Sequence, residues 1–128
     1  MTVAYKILGQ GKPSASTSLT LNYANLCDPT GGKNYIVSSV VVCNYGSATD
    51  TVSLFVSPKT SGGGISPGIM VPANAIAINV TIPPYSTEIF TLGLTLEDTG
   101  NTDTTCRLKG QSHTTGTTTF TAFGSENY

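Results

Sequence analysis

Thr87-Glu88-Ile89-Phe90-Thr91-Leu92-Gly93-Leu94-Thr95-Leu96 alternates apolar with small or polar side chains from end to end. Phe90, Leu92, Leu94 and Leu96 fall on one side, and Thr91, Gly93 and Thr95 fall on the other. A repeat of two is the geometry of a half-buried β-strand. The same period continues outward in both directions. Upstream, Ile76, Ile78, Val80 and Ile82 alternate until Pro83-Pro84 stops them. Over residues 51–57, Val52, Leu54 and Val56 alternate with Ser53, Phe55 and Ser57, and Pro58 ends the run. Residues 35–44 hold the unbroken stretch Val40-Val41-Val42-Cys43. Such a run predicts a central strand covered on both faces. Leu19, Leu21 and Tyr23 mark a strand over residues 17–23, and residues 2–8 form a short first strand. Downstream, residues 104–109 carry Cys106 and Leu108, and residues 117–123 close the chain.

Turn chemistry separates these segments. Cys27-Asp28-Pro29-Thr30-Gly31-Gly32, Tyr45-Gly46-Ser47-Ala48 and Ser61-Gly62-Gly63-Gly64-Ile65-Ser66-Pro67-Gly68 supply fixed φ at proline and positive φ at glycine. The pattern predicts an all-β protein, a single β-sandwich of about eight antiparallel strands, jelly-roll or immunoglobulin-like. One domain over residues 1–128 follows from the length, with residues 1–10 as an assembly arm.

Composition narrows the function classes. The 21 Thr and 13 Ser exceed a quarter of the chain and oppose a helical fold, because Thr is stiff at χ1 and Ser competes for backbone hydrogen bonds. Only 10% of residues are charged and the net charge is −1, which opposes a nucleic-acid binder. No stretch approaches about 18 consecutive apolar residues, the length a transmembrane helix needs. Met1-Thr2-Val3-Ala4-Tyr5-Lys6 lacks the pattern of a secretory signal. Cys27, Cys43 and Cys106 are odd in number and widely spaced, which points to free thiols acting as small hydrophobes in a reducing cytoplasm.

Several motifs carry a chemical suggestion, and each has a plainer reading. Asp98-Thr99-Gly100 after an apolar strand matches the catalytic triplet of aspartic proteases, yet only 28 residues follow it. That remainder is too short for a flap and supporting loop, so a hairpin turn is expected. Residues 97–103 offer oxygen ligands for calcium, but Gly100 is misplaced for a regular calcium loop. His113, the sole histidine, is expected as a solvated loop residue. Glu88, Glu97 and Glu126 are scattered, so no glycosidase pair is read from them. The tyrosines at positions 5, 23, 35, 45, 85 and 128 are expected to cap the core or sit at its rim. No cofactor, metal site or catalytic residue is predicted.

Four stretches in order along the chain carry a resemblance. They are Tyr5-Lys6-Ile7-Leu8-Gly9-Gln10, Ser38-Ser39-Val40-Val41-Val42-Cys43-Asn44-Tyr45-Gly46, Thr91-Leu92-Gly93-Leu94-Thr95-Leu96 and Phe123-Gly124-Ser125-Glu126. Together they resemble a family of small virion structural proteins of tailed phages, common in phages of cyanobacteria and other marine bacteria. The chain departs from that family in the glycine-rich 60s loop and onward to Asn79. The resemblance implies a non-enzymatic virion component assembled in the host cytoplasm. Within that class the leading expectation is a capsid decoration (cement) protein that bridges capsid subunits as a homo-oligomer, with a trimer favoured. A neck or tail-fibre module and a carbohydrate-binding adhesion domain are the alternatives. The expected partners are the major capsid protein or other virion proteins, without nucleic acid or membrane. Expected contact residues are Tyr5, Lys6, Ile7 and Leu8 in the N-terminal segment and Ile65 and Ile69 in and beside the glycine-rich loop.

Overall fold

The alternation over residues 87–96 is realised as a long strand, and seven others pair around it in a computed structural model describing residues 3–16, 22–58, 75–101 and 105–127. In chain order they are β1 (Val3–Gly11), β2 (Tyr23–Cys27), β3 (Asn34–Asn44), β4 (Asp50–Pro58), β5 (Ala75–Ile82), β6 (Ser86–Glu97), β7 (Cys106–Ser112) and β8 (Thr118–Asn127). They form two four-stranded antiparallel sheets, β1-β8-β3-β6 and β2-β7-β4-β5. The pairs β4/β5, β3/β6, β2/β7 and β1/β8 are nested, so the chain runs as one long antiparallel ribbon folded across two layers. That nesting is the jelly roll and excludes the immunoglobulin order.

The core lies between the sheets. Val37, Val40, Val42, Leu96, Phe120 and Ala122 come from the first sheet, and Leu26, Val52, Leu54, Ile82 and Leu108 come from the second. Phe90, Leu92 and Leu94 pack against this cluster, as their alternation requires. Close approach shapes β8 at Gly124, where any Cβ would collide with the backbone carbonyl of Ile36 in the neighbouring β3.

Several expectations need correction. The strand predicted over residues 17–23 shares only Tyr23 with the strand found there, β2, which runs on to Cys27 with Ala24, Leu26 and Cys27 buried. Residues 17–21 lie outside the described residues, and Asn22 takes a positive φ of 55° just before the strand. A register shift between Asn25 and Cys27 lets both Leu26 and Cys27 enter the core. β5 does not keep one apolar face. Asn79, at φ 51°, inserts a bulge that turns Val80 and Ile82 inward and leaves Ile76 and Ile78 exposed. β3 is hydrogen-bonded on both edges, but only its inner face is covered, and Val41 and Cys43 on its outer face stay half-buried.

Candidate functional site

The polar residues best placed for chemistry are occupied in holding the turns. Asp50 is buried at the start of β4. Its carboxylate accepts hydrogen bonds from the Ser112 hydroxyl at 2.6 Å, the Thr118 hydroxyl at 2.5 Å and the backbone N–H groups of Thr114 and Thr115 at 3.1 and 3.2 Å. Burial alone would raise its pKa, but these donors together draw it below the ordinary value. The result is a carboxylate cage that fixes the turn between β7 and β8.

His113 stands in that turn and is not a solvated side chain. Its Nδ1 lies 3.0 Å from the Ser16 carbonyl and its Nε2 lies 2.6 Å from Ser53 Oγ. A carbonyl only accepts, so Nδ1 carries the proton and the Ser53 hydroxyl donates to Nε2. Ser53 Oγ also accepts the Asn79 N–H at 3.0 Å. A serine hydroxyl against a histidine nitrogen is the arrangement of a nucleophile and its base. Here Ser53 is fully buried, with its oxygen bonded on both sides, so the pair clasps β4 to the β5 bulge and the β7–β8 turn.

Asp98 is a turn residue. Its carboxylate accepts the Gly32 N–H at 2.8 Å and the Gly100 N–H at 3.0 Å, and Gly100 takes the positive φ of 80° that the turn needs. The β2–β3 and β6–β7 connections are thereby joined. No group of three or more metal-ligating side chains occurs among the described residues, and Asp103 lies outside them. Glu126 is almost completely buried at the edge of the sandwich and pairs with Lys6 and, at 2.6 Å, with Lys33. The hydrogen bonds from Lys33 and Lys6 pull its pKa down to about 2.

The backs of the two sheets differ sharply. On the second sheet, Ser53, Phe55 and Ser57 of β4 pair with Gln111, Lys109 and Arg107 of β7 and point away from the core. Ser53, Phe55, Ser57, Lys109 and Gln111 are nevertheless fully buried. The Lys109 ammonium sits 4.9 Å from the centre of the Tyr23 ring. Burial lowers its pKa to about 8.

The back of the first sheet is open. β6 presents Thr87, Ile89, Thr91, Gly93 and Thr95 there. β3 adds Ile36, Val41 and Cys43, which pair with Ser125, Thr121 and Thr119 of β8. β1 adds Tyr5 and Ile7, across from Ser125 and Phe123. Ile89 is 61% exposed, Tyr5 71%, Ile7 48% and Ile36 40%. The outward positions along the middle of this face are uncharged, with Glu97 at the end of β6 and, at the other end, the Lys12 ammonium 5.8 Å from the centre of the Tyr45 ring. Tyr5 is tied down. Ser38 Oγ donates to the Phe123 carbonyl at 3.1 Å, so the Tyr5 hydroxyl donates to Ser38 Oγ at 2.7 Å. That bond runs from β1 across β8 to β3 and holds the ring along the sheet. A shallow cleft of about 370 Å³ opens at one end, lined by Gln10, Gly11, Thr119, Phe120 and Thr121.

The contact residues expected from the sequence divide accordingly. Tyr5 and Ile7 stand on the open face. Lys6 is engaged with Glu126, and Leu8 packs against the core. Ile65 and Ile69 lie outside the described residues. The described part of the N-terminal segment is β1, an edge strand paired with β8. The tyrosines do not all cap the core, since Tyr35 is buried but Tyr5, Tyr45 and Tyr85 are exposed, and Tyr128 is outside the described residues. The Asp50 cage and the His113 clasp escaped sequence reading because their partners lie 60 or more residues away in the chain.

Comparison of the chain with protein-family models, curated proteins and solved structures returned no match.

Proposed function

We propose that the chain is a non-enzymatic structural component of a tailed-phage particle, acting as a capsid decoration protein that bridges neighbouring capsid subunits. The observation that carries this reading is the open back of the β1-β8-β3-β6 sheet. The four stretches that resemble small phage virion proteins fall on β1, β3, β6 and β8, which are the four strands of that one sheet. The middle of that sheet's outward face exposes isoleucines and hydroxyls without charge, so it can pack against a neighbour with little electrostatic penalty. A subunit that binds only the assembled shell stabilises it by mass action. The Asp50 cage and the His113 clasp hold the turns at one end of the sandwich, which suits a rigid structural part.

Quantitative mass spectrometry of purified particles, referenced to the major capsid protein, tests the reading. Decoration predicts on the order of hundreds of copies per particle, since icosahedral symmetry sets the number. About a dozen copies would move the chain to the neck or tail. Absence from the particle would overturn the virion reading.

A further inference from the structure

We infer that the open back of the first sheet is occupied by a second copy of this chain, packed face to face about a two-fold axis. The inference rests on reading that face as a contact surface and names what covers it. A two-fold interface brings each patch against itself, so a patch carrying charge of one sign is repelled by its own copy. The middle of this face avoids that penalty, because its described side chains there are uncharged, with Glu97 at one end and the Lys12 ammonium, over the Tyr45 ring, at the other. A partner of different sequence is selected by complementary charge, and the middle of the face offers none for selection.

The dimensions fit. Four strands about 4.8 Å apart and about nine residues long make a face near 20 by 30 Å, or about 600 Å² in projection. The accessible area of a corrugated sheet exceeds its projection and approaches the roughly 800 Å² per partner of a standard stable interface. Stacked sheets lie about 10 Å apart, and the protruding side chains must then interdigitate. Ile36 and Ile89 provide the ridges, with the low row of Thr91, Gly93 and Thr95 beside them to receive the opposing ridges. Tyr5, already held by Ser38, supplies a large ring whose ordering costs little on association. The arrangement closes at two subunits, unlike the trimer expected from the resemblance. A pair also carries two identical ends facing apart, which suits a bridge between neighbouring capsid subunits.

Sedimentation velocity of the full chain at concentrations up to about 100 µM tests the pairing, since even a weak dimer is populated there. The expected species has twice the 13.2 kDa mass of the chain and persists in high salt. The double variant Ile36→Lys/Ile89→Lys buries ammonium groups in the contact, and its self-association should weaken by at least roughly 100-fold. Diluted below the pairing range, its unfolding temperature should match that of the native chain, and Ile36→Ser/Ile89→Ser should weaken the pair to a smaller degree. A monomer at every concentration, a trimer, or a dimer that survives the double lysine variant overturns the inference. Particle incorporation separates the two readings. A monomer whose incorporation is abolished by the lysine variant overturns the pair and leaves decoration standing. A face-to-face dimer that never enters particles supports the pair and sinks decoration.

Discussion

The outward faces of the two sheets occupy equivalent places in the jelly roll and are built for different ends. Behind the second sheet, Phe55, Lys109 and Gln111 are fully buried although they point away from the core. Behind the first, Tyr5, Ile7, Ile36 and Ile89 are exposed. The lesson is that a strand's alternation assigns side chains to two faces without saying which face meets solvent. A buried aromatic on an outer face contributes to the stability of the chain itself. An exposed isoleucine on an uncharged face contributes nothing until something covers it.

Replacing one residue on each back breaks the comparison most directly. Phe55→Ala should destabilise the chain by about 3–5 kcal/mol, the cost of deleting a buried aromatic. Ile89→Ala in the dilute chain should stay within about 0.5 kcal/mol. Urea unfolding of the two variants measures both, and similar losses would erase the distinction between the faces.

Asp50→Ala comes next. It strands the Ser112 and Thr118 hydroxyls and the N–H groups of Thr114 and Thr115, and should cost about 3 kcal/mol in the same measurement.

Titration sharpens the comparison further. Asp50 and Glu126 both bind protons more weakly in the folded chain than in the unfolded one. Their stabilisation is therefore complete above the ordinary values of 3.8 and 4.5 and drains as pH falls through their lowered folded values, which for Glu126 lies near 2. Lys109 acts at the other end. The folded chain releases its proton near pH 8 and the unfolded chain near 10.5, so stability rises with pH between those values. Cys27, pushed up to about 12 chiefly by burial, and Cys106, also raised by burial, oppose this as pH approaches and passes 9.0. The clean window is pH 8–9. There the thermal midpoint should climb in the native chain and stay flat or fall slightly in Lys109→Met.

The smallest effect belongs to Tyr5→Phe. It removes the bond to Ser38 and keeps the ring, so association measured by sedimentation should weaken by about 1 kcal/mol or less.

Much of this architecture was legible in the chain. β6 and β4 follow from period-two patterning, whereas β3 was read from the unbroken Val40-Val41-Val42-Cys43 run, whose expected cover on the outer face is missing. The flip within β5 was not legible, since Ile76, Ile78, Val80 and Ile82 alternate perfectly and only the left-handed Asn79 reverses them. The order of strands was not legible either, because β1/β8 pairing joins residues at opposite ends of the sequence. Of the site, the alternation revealed the Thr91, Gly93 and Thr95 row but not that Tyr5, Ile36 and Ile89 share its face. That coincidence requires the β1-β8-β3-β6 order. His113 looked like a loop residue by its neighbours, and its partners Ser16 and Ser53 are distant in sequence.

Hydroxyl-radical footprinting of the chain before and after assembly tests the central claim most directly. Exposed aromatic and aliphatic side chains are labelled in the free chain. Assembly should protect Tyr5, Ile36 and Ile89 together while Ile76, Ile78 and Tyr85 remain as reactive as before. Protection confined to Ile76, Ile78 or Tyr85, with Ile36 and Ile89 still fully labelled, would contradict the assignment of the open sheet back as the contact face.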